Sequence, residues 1–183
     1  MSFLKSLPTD AGLFQIFQAF PESARPLLEY QEVLLRCDSP FSAAERELIA
    51  AYVSGLNRCD YCRAVHSQTA VALGIPAKTI DQMSAKADSG DVDPTMRPVL
   101  AFARKLTLSP AKITTADTDA VFAAGWNDRA LHDAVAICAL FNLMNRLVNG
   151  LGVEVSNTHT RMTAQWVAQH GYAQSLEFLP ASE

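Results

Sequence analysis

No run of this 183-residue sequence approaches the roughly 18 to 20 consecutive apolar residues that a bilayer-crossing helix needs. The opening MSFLKSLPTDAG holds one lysine and no sustained apolar core, so it does not read as a secretory signal; the expected location is cytoplasmic, with no membrane partner. Basic residues are thinly spread. Arg25, Arg36, Arg46, Arg58, Arg63 and Arg97 form no dense run, and the formal net charge is −4 with a pI near 5.5. Without a basic stripe to neutralise phosphates, nucleic-acid binding is set aside. No glycine-rich phosphate loop is present, so no nucleotide or flavin is expected, and nothing suggests haem. Sustained alternation of apolar and polar residues between turn signals is also missing, which argues against a sheet.

What remains is helical. Glycine and proline are not in excess and 49% of residues are hydrophobic, so one domain with a packed core is expected over residues 1–183. Residues 11 to 20 set Leu13, Phe14, Phe17 and Phe20 on one face, and the pattern stops at Pro21. Residues 24 to 36 repeat it with Leu27, Leu28, Leu34 and Leu35. These N-terminal helices, within 1–40, are expected to pack on the core. Ser42 and Glu45 have capping-box spacing ahead of ELIAAYVSG, with Gly55 as the expected stop. The next helix ends at Ala72-Leu73-Gly74, with Pro76 beyond. Residues 84 to 94, SAKADSGDVDP, read as a linker. A second helical half spans 96–170, with helices at 97 to 106, about 116 to 124, 128 to 148 and 155 to 169. Trp126 and Trp166 are expected core or interface anchors. Asn142, Asn145 and Asn149 recur near helical spacing, fit for bonds across a helix interface.

Two halves echo each other at an offset of 85 residues: SGLN at 54 to 57 lies over ALFN at 139 to 142. A duplicated helical hairpin and chance similarity between amphipathic helices both account for this. If duplication is real, His132 falls opposite Glu47 and is a candidate pocket residue.

Of the four cysteines, Cys138 sits in the apolar AVAICALFNLM and reads as structural, and Cys37 follows VLLR at a helix end. Cys59 and Cys62 differ, because His66 follows. At about 100° per residue, Cys59, Cys62 and His66 fall within one sector of about 60°. A histidine four residues after a cysteine can take its proton, and the imidazolium then favours the thiolate. Both cysteines also fall near a helix start, where free N–H groups favour negative charge. A second thiol nearby can condense with a sulfenic acid to a disulfide, which an external dithiol reduces. Glu47, on the preceding helix, either orients His66 or is a solvated surface carboxylate; spacing alone favours the surface.

The pattern Glu47, eleven residues, then Cys59-Asp60-Tyr61-Cys62-Arg63-Ala64-Val65-His66 resembles the AhpD-like alkylhydroperoxidase branch of the carboxymuconolactone decarboxylase superfamily. NLMNRLVNGLGVE, residues 142 to 154, is similar to a downstream helix of its peroxidase-related subgroup. The resemblance runs over about residues 20 to 170 and is strongest within the redox segment, 42–75. It implies an all-α, AhpD-like helical bundle and a thiol-dependent peroxidase with Cys62 attacking, Cys59 resolving, His66 as base and Glu47 as its partner. It implies a hydroperoxide substrate, a dithiol protein or lipoyl group as reductant, no bound cofactor, and a homo-oligomer, typically a hexamer built from dimers, in which N-terminal helices often meet a second subunit. Tyr61 departs from relatives that carry histidine there, since a phenol with a pKa near 10 cannot shuttle protons at neutral pH; it remains a candidate pocket residue. Four alternatives stand beside this. A zinc site would use Cys59, Cys62 and His66 with His132, His159 or Glu47, but lacks a second ligand pair. The others are general disulfide exchange, decarboxylase or lactone chemistry, and a non-catalytic oligomeric module.

Overall fold

The computed structural model describes residues 2–83 and 92–181, and most of the linker read at 84–94 lies outside those residues. Among the described residues the regular elements are helices: α1 (Leu13–Ala19), α2 (Pro21–Arg36), α3 (Ala43–Leu56), α4 (Asp60–Ala72), α5 (Ala77–Met83), α6 (Met96–Leu108), α7 (Thr115–Ala123), α8 (Asp128–Gly150) and α9 (Asn157–His170). Short 3₁₀ turns follow α6 at Pro110–Lys112 and α9 at Ala173–Phe178. The all-α expectation holds, while α5 went unread: seven residues are too few for a helical period to declare itself.

Local chemistry sets the boundaries. Pro21 opens α2, where its missing N–H costs nothing and its fixed φ suits the first turn. Ser42 caps α3: its Oγ accepts the Glu45 N–H at 3.2 Å while Glu45 Oε2 accepts the Ser42 N–H at 2.7 Å. Asn127 Oδ1 caps α8 by accepting the Ala130 N–H at 3.0 Å. Gly55 does not end α3; the helix runs one residue further and Asn57 caps it.

The core is built on α3 and α8. Along α3 the residues from Arg46 to Ser54 are all buried, so this helix has no solvent face in its middle. It packs against α4, α8, α6 and α2, and α4 packs in turn on α9. On α8, Ala130, Ala134, Ile137, Phe141, Met144 and Val148 make the buried stripe. Each large member of such a stripe, Phe141 among them, contributes about 1.5 to 3 kcal/mol by leaving water. The length and mean hydropathy of α8 would suit a membrane span, but more than half of that window is buried as the fold's central helix. Counting uninterrupted apolar runs overlooked it because Asp133, Asn142 and Asn145 interrupt the run.

The phenylalanine stripe of α1 is only partly internal. Phe17 is buried, whereas Phe14 and Phe20 are exposed and Ile16 is buried instead. The short helix straddles two clusters: Phe17 joins the main core, and Ile16 joins a smaller one around the cysteine pair.

Candidate active site

The cysteine pair sits where α3 turns into α4. The turn needs a left-handed residue, and Arg58 takes it at φ 54°. The Cys59 N–H donates to the Ser54 carbonyl at 3.0 Å, placing Cys59 at the N-cap of α4 and Cys62 at its third residue. Asn145 of α8 fastens this turn: its Oδ1 accepts Asn57 Nδ2 at 2.9 Å and its Nδ2 donates to Ser54 Oγ at 3.0 Å. Asn57 also donates to Asn142 Oδ1 at 3.2 Å. Asn142 and Asn145 thus bond across a helix interface, while Asn149 is exposed.

Cys59 and Cys62 are free thiols, 0% and 2% exposed. Ile16, Val148 and Val153 pack on them, with Leu4, Leu7, Leu13 and Leu151 around the rim. The N-terminal segment therefore lies over the pair, held by the Phe3 N–H to the Leu151 carbonyl at 3.0 Å.

One helical turn beyond Cys62, His66 is buried and joined to Glu47, with Nδ1 at 2.6 Å from Oε2. Glu47 is not the surface carboxylate that spacing favoured. It is fully buried, because α3 is enclosed on all sides. Its other oxygen, Oε1, accepts Arg36 Nη2 at 2.7 Å and the Tyr172 hydroxyl at 2.7 Å. The Arg36 guanidinium lies 5.0 Å from the Tyr172 ring centre, and the Phe141 ring stands edge-on to His66 at 4.4 Å. Arg46 brings α2 to this place. Its Nη1 donates to the Leu34 and Cys37 carbonyls at 3.2 and 2.6 Å, closing the end of α2 from which Arg36 projects.

The electrostatics follow from these contacts. Burial alone would push the Glu47 carboxyl up, but His66, Arg36 and Tyr172 together hold it below its ordinary value. Burial pulls Arg36 down, and the adjacent Glu47 carboxylate more than offsets it. Tyr172 is raised well above the usual phenol by burial and by facing Glu47, so its hydroxyl keeps its proton and acts as a donor. Within the cysteine pair the Cys62 thiol donates to Cys59, and Cys59 is held low by that donor and by the Cys62 N–H and Asn145 amide. Cys62 is raised, by its bond to Cys59 and by burial. Of the two thiols, Cys59 is therefore the one more readily ionised.

Tyr61 is partly buried, and burial beside Cys62 pushes its phenol up to about 12. It forms part of the wall of a groove of about 610 Å³, with Leu13, Phe14, Val155, Met162 and Thr163. His132 does not join the site. Its side chain is 72% exposed and bonds to Asp133, so the pocket role read from the 85-residue offset is corrected. Cys138 is buried against Thr107, and Cys37 is exposed at the end of α2. Among the described residues no three His, Cys, Asp or Glu side chains are arranged to hold a metal.

Arg36 and Tyr172 were not read from the sequence. Arg36 is an ordinary basic residue in a last helical turn, and Tyr172 lies 125 residues from its partner, so neither carries a local signal.

Residues 21–105 match the carboxymuconolactone decarboxylase family. No curated protein matches the sequence significantly. Among solved structures, the AhpD core of an uncharacterised peroxidase-related protein from Ralstonia eutropha JMP134 is similar at 26% identity and TM-score 0.74, over 82% of this chain and 78% of that one. An uncharacterised peroxidase-related protein from Silicibacter sp. TM1040 is 24% identical, TM-score 0.74, over 87% and 94%. A protein of unknown function from Agrobacterium tumefaciens, a candidate AhpD antioxidant-defence protein, is 18% identical, TM-score 0.68, over 77% and 95%. The Cys-x-x-Cys pair and the paired His66 and Glu47 thus sit in a fold shared with these AhpD-like and peroxidase-related proteins, in a chain whose residues 21–105 are similar to the carboxymuconolactone decarboxylase family.

Proposed function

We propose that this protein is a thiol-dependent peroxidase that reduces organic hydroperoxides through Cys59 and Cys62. The observation that carries the reading is the buried His66–Glu47 pair one helical turn from a reduced Cys-x-x-Cys at a helix start. Glu47 holds the Nδ1 proton of the imidazole, leaving Nε2 as the basic nitrogen. Cys62 gives its proton toward His66 and its thiolate attacks the terminal peroxide oxygen. The O–O bond breaks, the sulfur becomes a sulfenic acid, and the alkoxide takes the proton from the imidazolium to leave as alcohol. Cys59 then attacks the sulfenic sulfur, releasing water and forming the disulfide. An external dithiol, of protein or lipoyl type, returns the pair to thiols by exchange and is itself oxidised.

The lowering of Cys59 by its hydrogen-bond donors favours a second reading, with Cys59 attacking and Cys62 resolving. Dimedone trapping after one equivalent of cumene hydroperoxide separates the two. Labelling in Cys59→Ser but not in Cys62→Ser assigns the attack to Cys62, and the reverse pattern assigns it to Cys59. Both thiols staying free in the wild-type protein, counted before and after peroxide, would remove the redox reading altogether. His66→Gln is expected to slow the trapping by about 10²-fold, the usual range for losing a general base.

The groove beside Tyr61 is the proposed approach for substrate. Its wall is mixed: Leu13, Phe14, Val155 and Met162 offer apolar surface to an alkyl group among polar side chains such as Asp10, Gln15 and His159, and Tyr61 stands between the two cysteines in sequence. The Tyr61 hydroxyl, kept protonated, is a hydrogen-bond donor there and not a proton shuttle. The proposed assembly is a dimer-based homo-oligomer, up to a hexamer, in the cytoplasm. The exposed apolar side chains Phe14, Phe20, Tyr30 and Val33 on α1, α2 and the joint between them support a subunit contact there.

A further inference from the structure

The C-terminal segment reaches the centre of the site, and nothing in the Cys-x-x-Cys motif anticipates it. After α9, Gly171 turns the chain at φ 73°, ψ −162°, a conformation close to glycine-only. Glu32 of α2 then receives the Tyr172 and Ala173 N–H groups at 2.6 and 3.0 Å, and Arg25 holds the Leu179 carbonyl at 3.1 Å. This clasp drives the Tyr172 side chain inward, where its hydroxyl meets Glu47 Oε1 at 2.7 Å and stands 3.4 Å from His66 Nδ1.

We propose that Tyr172 is a positioning residue of the His66–Glu47 relay, acting through Glu47 to fix the proton on His66 Nδ1. This rests on the relay reading above. The carboxylate oxygens divide the work. Oε1 is saturated by Tyr172 and Arg36, which leaves Oε2 to His66 alone and blocks rotation of the carboxylate. A carboxylate so pinned keeps Nδ1 protonated and Nε2 free. Without the Tyr172 hydroxyl, Oε1 has one donor, the carboxylate can swing to take both arms of Arg36, and the imidazole can exchange its tautomer. The charged and titratable groups facing this centre are Arg36 and Glu32 from α2, Arg46 from α3, His66 and the cysteines from α4, and Tyr172 itself; α8 presents the uncharged Phe141.

Tyr172→Phe keeps the ring and removes only the hydroxyl. It is examined in the wild-type and Glu47→Gln backgrounds by two readouts: iodoacetamide alkylation of the Cys59–Cys62 peptide across pH, and ¹⁵N NMR of the His66 ring. In the wild-type background the expected result is an alkylation rate lower by about tenfold at neutral pH, the scale of one hydrogen bond to a charged group, with a displaced pH profile. The His66 ring changes from one tautomer to a mixture. In the Glu47→Gln background the same substitution changes the rate less than about twofold, because its route of action is gone. An unchanged profile with a single tautomer, or an equal loss in both backgrounds, overturns the proposal. Neither readout consumes peroxide. Failure of hydroperoxide turnover with these shifts intact would refute the peroxidase reading and leave the role of Tyr172 standing.

Discussion

A carboxylate taken wholly out of water must keep counter-charges close or take up a proton, and Glu47 keeps Arg36 and His66 within 2.7 Å. Its folded pKa is depressed, so its contribution to stability is present above the free glutamic acid value of about 4.3 and is lost as pH falls through the folded value. Glu47→Gln leaves Arg36 half-stranded and is expected to cost about 3 kcal/mol at pH 7. Urea denaturation at pH 7 and again near pH 4 should show the gap to wild type narrowing in acid. A gap independent of pH would mean that Glu47 is not ionised in the folded protein. Spacing could not identify this residue as buried, since α3 lacks the polar face that normally marks which side meets solvent. The Cys59–Cys62–His66 arrangement was legible because all three lie on one helix, where sequence distance fixes spatial distance.

Two short elements govern what reaches those residues. The N-terminal segment covers the cysteine pair with Leu4, Leu7 and Leu13, and few backbone bonds tie it down. Removal of residues 2–10 is expected to raise alkylation of Cys59 and Cys62 by about tenfold or more, since a loosely tied cover opens at low cost. An unchanged rate would show that access runs elsewhere. At the other end, a Cβ on Gly171 would meet Glu32 Oε2 at 2.7 Å in a backbone conformation that other residues avoid. Gly171→Ala is expected to destabilise by about 2 kcal/mol in thermal unfolding and to withdraw Tyr172 from Glu47; a wild-type melting curve would contradict the clasp. The longer helices α6, α8 and α9 were readable because each presents enough turns for a period to emerge. The exposed Phe14 and Phe20 were misread because a two-turn helix can point a stripe at either of two neighbours. The clasp was invisible because its partners lie 140 and 125 residues apart.

In the whole molecule α3 and α4 pack closely on each other, α3 lies on α8 and α4 on α9. Asn57 and Asn142, matched by the 85-residue offset, bond directly to each other. At that offset, however, α3, the turn after it and the start of α4 all fall on the single continuous helix α8, so the echo does not correspond to a second hairpin. Phe20, Tyr30 and Val33 are exposed on α2 and the joint before it, and light scattering after size-exclusion chromatography is expected to give a dimer or a multiple of it; a monomer at micromolar concentration would contradict the proposed contact. The most direct test is cumene hydroperoxide consumption by the purified, metal-free protein with dihydrolipoamide as reductant, beside Cys59→Ser and Cys62→Ser. Sustained turnover by the wild type and by neither variant is the expected result. Absence of turnover, with both thiols still free after peroxide, would contradict the assignment of this buried pair to peroxide reduction.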